Sequence, residues 1–249
     1  IALQATPLLE TQADEVEKRI QALLVDRELV TTEPDWLQLP SSWHAENNIA
    51  QSLQAILKAQ SSLPSILIDK AVEWAQGKAG FGFADAQSEG IQNALSSKVA
   101  ILTGGPGTGK TTILRAIVSI LKAKKAKVML AAPTGRAARR MAESASHFAQ
   151  TVHRLLKFDP SHGGFTVNER SPLVCDFLIM DETSMLDIRL AAALFRSVPP
   201  NAHILLVGDA DQLPSVGSGN VLKDLIVSKL FKVTRLAVTF RQAEDSGIV

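Results

Sequence analysis

Apolar residues recur along this chain with two different periods, and the change of period divides it. Over residues 13–30, Val16, Ile20, Leu23 and Leu24 fall at helical intervals, which predicts an amphipathic helix. Residues 30–39, around Pro34, predict a short β excursion, so a helix followed by a small wing is expected at the start. Residues 42–59 carry Ile49, Leu53, Ile56 and Leu57 on one side and predict a second amphipathic helix, ended by a Ser-Ser-Leu-Pro break. A third helix is expected over residues 66–76, and Gly77 to Gly82 reads as a linker.

Beyond Phe83 the pattern changes to short, continuous apolar runs separated by helical stretches. The runs are residues 99–102, 128–131, 177–180 and 204–207. A run that is apolar at every position is a strand buried on both faces, and helices between such strands imply a parallel sheet. The expected fold class is α/β, with a mainly helical N-terminal region over 1–80 and the α/β domain over 81–249. Ligands bind at the carboxyl ends of the strands in sheets of this kind. Each predicted strand runs into a polar cluster there: GGPGTGKT, APTGRAARR, DETS and GDADQ.

The first cluster carries the strongest signal. Gly104 to Thr111 fits the G-x-x-x-x-G-K-T phosphate loop at every fixed position, between a predicted strand and a helix expected over 110–121. Glycines let the loop's backbone amides turn inward to face phosphate oxygens, so Gly105, Pro106, Gly107, Thr108 and Gly109 form the expected phosphate cradle. Lys110 sets a compact positive charge near the β and γ phosphates, Thr111 offers a hydroxyl to Mg²⁺, and Thr112 follows on the positive end of the helix. A purely structural glycine turn is the alternative, and the Gly-Lys-Thr ending after a strand argues against it.

Two further clusters supply what a bound triphosphate needs. Asp181 and Glu182 end an apolar strand about 70 residues downstream. There one acid can hold Mg²⁺ and the other can polarise an attacking water, so Asp181 is the expected metal residue and Glu182 the expected base. Alone, an Asp-Glu pair is as readily a helix cap. Gln212, in GDADQLP after the next strand, is a candidate sensor of the γ-phosphate or its attacking water, against the default of a polar turn.

Composition sharpens the picture. The net charge of +1 conceals segregation: residues 98–157 hold 12 Lys and Arg against 1 acid, whereas 1–97 hold 6 against 13 and 158–249 hold 8 against 11. A basic middle segment suits a polyanion as well as nucleotide phosphates. Lys122, Lys124, Lys125 and Lys127 read as a solvated helix end. Arg136, Arg139 and Arg140 crowd one helix, from which at least one must point to solvent. A single cysteine, Cys175, rules out an internal disulfide framework and reads as a small buried apolar side chain. No apolar stretch approaches membrane-spanning length and no charged leader precedes one, so a cytoplasmic protein is expected.

Taken in order, GGPGTGKTT, APTGRAARRM, TVHRLL, MDETSML, GDADQLPSVGSGNVLKDLI and TRLAVTFRQAEDSGIV resemble the RecD-type superfamily 1B DNA helicases, the exodeoxyribonuclease V alpha-subunit family. The resemblance is firm from about Phe83 onward and softer upstream. It implies a RecA-like P-loop NTPase domain, the first of two motor domains, that hydrolyses ATP with Mg²⁺ to move 5′ to 3′ on single-stranded DNA. It further implies that Gln87 reads the adenine edge, that Arg241 reaches the γ-phosphate, and that Pro133, Thr134, Arg136, Thr151 and His153 contact single-stranded DNA without reading sequence. The expected partners are single-stranded DNA and a single-strand/duplex junction.

Residues 157–172, KFDPSHGGFTVNERSP, predict a β-hairpin insertion flanked by Phe158 and Phe165, which in the family splits the duplex. A nucleotide-switched, DNA-binding ATPase subunit of a recombination nuclease complex is the alternative reading. Nuclease chemistry would then belong to a partner, because no further carboxylate cluster of nuclease type is present. With one motor domain in view, weak nucleotide binding and no unaided unwinding are expected of this stretch.

Overall fold

The structure, a computed structural model, describes residues 11–33, 36–161 and 163–238. The chain divides into two compact units, Ile1–Asn48 and Ile49–Val249. In the first, helix α1 (Ala13–Val25) buries Val16, and strands β1 (Val30–Glu33) and β2 (Trp36–Gln38) form an antiparallel hairpin with Thr31 opposite Leu37. These are the helix and the β excursion that the apolar spacing predicts. The division falls within α2 (Pro40–Lys58), which starts on a proline whose missing N–H costs nothing in a first helical turn.

The second unit is built on a six-stranded sheet. Its strands are β3 (Val99–Gly104), β4 (Val128–Ala132), β5 (Ala149–Thr151), β8 (Phe177–Met180), β9 (His203–Gly208) and β10 (Lys232–Leu236). Their order is β10-β3-β9-β8-β4-β5, and every pairing is parallel. Every residue of β8 and β9 is buried, and β3 is buried up to Gly104, as continuous apolar runs require. The four predicted strands are the middle of the sheet; β5 and β10 are edges that have no such run.

Helices α3 (Ile68–Ala79), α4 (Asp85–Ser96), α5 (Lys110–Ala123) and α6 (Gly135–Ala145) pack against one another. Ile91, Ile113, Ile117 and Leu121 seal them onto Leu102, Ile179 and Leu205 of the sheet. From β3 to β4 the chain moves one way across the sheet, and from β8 through α8 (Ile188–Ser197) to β9 it moves back. Right-handed crossovers therefore put α5 and α8 on opposite faces and leave the carboxyl edge open between them. A short helix α7 (Val152–Leu155) follows β5, strands β6 (Phe158–Asp159) and β7 (Gly164–Phe165) make the small hairpin expected within 157–172, and α9 (Val221–Val227) precedes β10. Cys175 is buried, and desolvation pushes its thiol up to about 12, so it is unreactive. Among the described residues, no helix is long and apolar enough to cross a membrane.

Candidate nucleotide site

Register gathers the chemistry at one edge. Leu236 pairs with Gly104, Thr103 with Gly208, Met180 with Leu206, and Ala132 with Thr151, so four of the strands deliver their polar clusters side by side. The two fixed glycines of the phosphate loop have separate physical reasons. At Gly104 a Cβ would sit 2.7 Å from the Leu236 carbonyl oxygen and 2.8 Å from Thr108 Oγ1, so only glycine lets β10 and the loop close on each other. At Gly109, φ is +91°, a left-handed backbone at the N-cap of α5 that other residues adopt at a cost. Thr108 closes the loop by donating its hydroxyl to the Gly105 carbonyl at 2.9 Å. The Lys110 ammonium donates to the carbonyls of Gly104 and Gly105, the latter at 2.8 Å, and thus lies folded along the loop.

The acids meet the loop. A cleft of about 660 Å³ is lined by Pro106 to Thr112 together with Asp181 and Glu182, and by Arg140 from α6. Asp181 accepts the Glu182 N–H at 2.9 Å. Burial pushes its carboxyl up to about 6; the Glu182 N–H opposes the rise, the Glu182 charge adds to it and Lys110 opposes it. Glu182 has φ of +51°, because the chain must turn from β8 directly into the 3₁₀ turn Thr183–Met185. Thr183 secures that turn by donating to the Met180 carbonyl at 3.0 Å. A left-handed glutamate costs about 1 kcal/mol, which the packing of the strand end sustains.

Mg²⁺ is held through one or two carboxylates plus phosphates and water rather than by an all-protein cage. Asp181 and Thr111 share the cleft, and a buried carboxylate whose charge is penalised by desolvation is one that a divalent cation would relieve. The residues present fit the ion.

The other expected residues lie around this centre. Gln212 is exposed and sits outside the cleft lining, but Ser184, two residues beyond Glu182, donates its hydroxyl to Gln212 Oε1 at 3.4 Å. Gln87 is buried and its Oε1 accepts the Ala84 N–H at 3.1 Å, so that oxygen closes the first turn of α4. Arg241 lies outside the described residues. Pro133–Thr134 and Thr151–His153 come together because β4 and β5 are neighbours. Both threonine hydroxyls are N-caps, accepting from Ala137 and Arg154 at 3.2 Å each, and the exposed residues Arg136 and His153 stand in the first turns that follow. His153 packs on both hairpin aromatics, with ring centroids 6.0 Å from Phe158 and 5.7 Å from Phe165.

Two features escape sequence reasoning. A second cleft of about 460 Å³ lies over α5, lined by Phe81, Phe83, Lys78 and Arg115, and shares Thr111, Thr112 and Ser144 with the first. Arg140 enters the phosphate cleft on a face with Ala137, Met141 and Ser144, at i, i+3, i+4 and i+7. That spacing is readable in APTGRAARRMAES; which way the face turns is not.

The family model described as "AAA domain" matches residues 87–218, more than half of the chain. The ATP-dependent RecD2 DNA helicase of Deinococcus radiodurans is 37% identical over 213 residues, covering 86% of this chain and 29% of that protein. The RecBCD enzyme subunit RecD of Mycobacterium tuberculosis is 34% identical, covering 86% of this chain and 40% of its own length. The chain thus spans well under half the length of these relatives. Among solved structures, the Pif1 helicase from Candida albicans overlaps 66% of this chain and 41% of its own, at 24% identity and a TM-score of 0.48. The matched span runs from the helix before the phosphate loop through the Gln212 loop, and the chain accordingly belongs to the AAA domain family.

Proposed function

We propose that this chain is the first motor domain of an ATP-dependent DNA helicase of the RecD type, which hydrolyses ATP to move 5′ to 3′ along single-stranded DNA. The observation that carries the reading is the single cleft in which Lys110, Thr111, Asp181 and Glu182 converge. Lys110 leaves its loop carbonyls for the β and γ phosphates, exchanging two neutral acceptors for charged ones. Glu182 orients and deprotonates the attacking water, and Gln212, on the loop after β9, senses the terminal phosphate and is tied through Ser184 to the turn that follows Glu182. Mg²⁺, held by Thr111 and Asp181 with the phosphates, would offset the charge of the triphosphate. The aromatic cleft at Phe81 and Phe83 suits a nucleobase, with Gln87 on the adjoining turn and Arg241 completing the phosphate site.

The DNA track fits the edge formed by Pro133, Thr134, Arg136, Thr151 and His153, within the basic segment, and the hairpin beside it suits a strand junction. Such contacts read phosphate and sugar, so affinity should fall with salt and vary little with sequence. Action as a subunit of a recombination nuclease complex is favoured by the relatives that are themselves named as RecBCD subunits. The test uses the full-length protein in DNA-stimulated ATPase and strand-displacement assays with 5′-tailed and 3′-tailed duplexes. Wild-type activity on the 5′-tailed substrate, abolished by Lys110→Ala, is expected. Unwinding of the 3′-tailed substrate alone would reject the direction. DNA-independent ATPase activity would reject the motor.

A further inference from the structure

We infer that Arg140 is a terminal-phosphate ligand of the nucleotide site, a residue that distinguishes a bound triphosphate from a diphosphate. The inference rests on the nucleotide-site reading above and adds a residue to it. Three arginines share α6, and the structure separates them. Arg140 lines the phosphate cleft, whereas Arg136 and Arg139 do not. Helical side chains lean toward the helix N-terminus. From Arg140 that direction leads past the small side chain of Ala137 toward the start of α6, at the carboxyl edge of the sheet where the phosphate loop opens. Met141, 2% exposed, anchors the same turn in the core and holds the face in place.

The two clefts over α5 fix which end of a nucleotide Arg140 meets. They join at Thr111, Thr112 and Ser144; Phe81 and Phe83 belong to one, Asp181, Glu182 and Arg140 to the other. A nucleotide with its base among the aromatics and its phosphates in the loop has its terminal phosphate on the Arg140 side. The charge inventory points the same way. The cleft sets Lys110 and Arg140 against Asp181 and Glu182. That is balanced when empty, and a triphosphate adds several negative charges. Among the described residues Arg140 has no hydrogen-bond or ion-pair partner, so its fork is free to take two phosphate oxygens, which a lysine cannot do in that geometry.

The experiment compares Arg140→Ala, Arg140→Lys and Arg139→Ala in the full-length protein. It measures kcat and KM for ATP at saturating single-stranded DNA, binding of ADP and of a non-hydrolysable ATP analogue, and DNA affinity without nucleotide. Arg140→Ala should raise the KM and the analogue's Kd by about ten- to a hundredfold, the loss typical of a charged hydrogen bond. ADP and DNA affinities should stay within about threefold, roughly 0.6 kcal/mol on the scale where tenfold is about 1.4. Arg140→Lys should fall between, and Arg139→Ala should match the wild type. An unchanged KM in Arg140→Ala would overturn the inference, as would equal weakening of ADP and the ATP analogue, or a loss confined to DNA binding. If Lys110→Ala is inactive while Arg140→Ala is normal, the inference alone fails. If the wild type hydrolyses no ATP, the underlying reading fails instead.

Discussion

The hydroxyl of Thr103, the last strand residue before the phosphate loop, accepts the backbone N–H of Ala210 at 3.0 Å. Thr103 is buried, and Ala210 stands two residues before Gln212, so this bond ties the proposed phosphate loop to the loop that carries Gln212, the proposed sensor. Thr103→Val keeps the shape and removes the acceptor. The orphaned N–H should cost about 1–3 kcal/mol of stability. If the bond serves coupling, kcat for DNA-stimulated hydrolysis should fall several-fold with nucleotide affinity little changed. Thermal unfolding together with steady-state kinetics checks both parts, and a change in KM alone would count against a coupling role.

Neighbouring glycines in the same loop should respond in opposite ways. An added methyl at Gly104 meets the Leu236 carbonyl at 2.7 Å, while at Gly105 it meets nothing within 4 Å. Gly104→Ala should push β10 away from the loop, losing nucleotide binding and about 1–3 kcal/mol of stability through overpacking. Gly105→Ala should fold like the wild type. Titration with a fluorescent nucleotide, alongside thermal melts, separates the two.

Asp181 predicts a pH dependence with a definite sign. Its folded pKa, about 6, stands above the ordinary 3.8 because burial disfavours the charge. A raised folded value stabilises the protein at low pH, and that contribution is lost as pH rises through 6. Nucleotide-free Asp181→Asn should therefore be more stable than the wild type at pH 8, by up to about 3 kcal/mol, and equal to it near pH 3.5. For Mg²⁺-nucleotide binding the sign reverses. The bound state needs the carboxylate, so affinity should fall as pH drops below 6, and the variant should bind weakly at every pH. A wild type and a variant with parallel stability profiles from pH 4 to 8 would refute the first part.

How much of this site the sequence discloses depends on whether the requirement is local. Gly109 and Lys110 answer to the backbone of one turn, and Asp181 and Glu182 to the end of one apolar strand, so both clusters are legible in the residues alone. The strands β3, β4, β8 and β9 are legible because burial on both faces removes polar positions. β5, with the sequence AQT, and β10, KVTRL, lie at the sheet edges, where water tolerates polar side chains and the pattern dissolves. Gln87 shows the converse. Its place before the phosphate loop is readable, yet its Oε1 is engaged by Ala84 three residues away, a competition between a ligand and a helix cap that residue type cannot decide. Arg140 depends on how α6 rolls against α5, which is tertiary packing.

A buried histidine gives a second pH limb, opposite to that of Asp181. At the amino end of β9, His203 is bonded through Nδ1 to the Ser97 carbonyl at 2.8 Å and through Nε2 to Ser61 Oγ at 2.7 Å, with Phe177 stacked at 5.9 Å. A neutral ring with Nδ1–H donating and Nε2 accepting satisfies both partners. Desolvation holds its pKa below the ordinary 6.5, helped by the Lys98 charge and opposed by the Ser97 bond. A lowered folded value gives stability that is present above pH 6.5 and lost as pH falls through the folded pKa. His203→Gln should flatten that acid limb, whereas His203→Ala should cost about 2–4 kcal/mol at neutral pH by leaving a cavity and unpaired groups. An acid limb that survives in His203→Gln would assign it elsewhere.

In the hairpin, Phe158 pairs with Phe165 across β6 and β7, their rings 5.3 Å apart, and His153 packs against both from the helix that follows β5. The three rings form one cluster, with Phe158 edge-on to both others and His153 tilted against Phe165, worth about 0.5–1.5 kcal/mol per aromatic pair beyond area burial. The hairpin is therefore held to the same short helix that carries an expected DNA contact, rather than standing as an independent arm. If it acts at a strand junction, Phe158→Ala should loosen it and reduce strand displacement more than ATP hydrolysis on single-stranded DNA, because the nucleotide cleft contains none of these rings. His153→Ala removes the cluster's third member and the proposed DNA contact together, so it should lower both displacement and single-strand affinity. Measuring ATPase activity, displacement and DNA binding on the two variants of the full-length protein checks the division. Equal loss of ATPase activity and displacement in Phe158→Ala would mean that the cluster serves the fold rather than the junction.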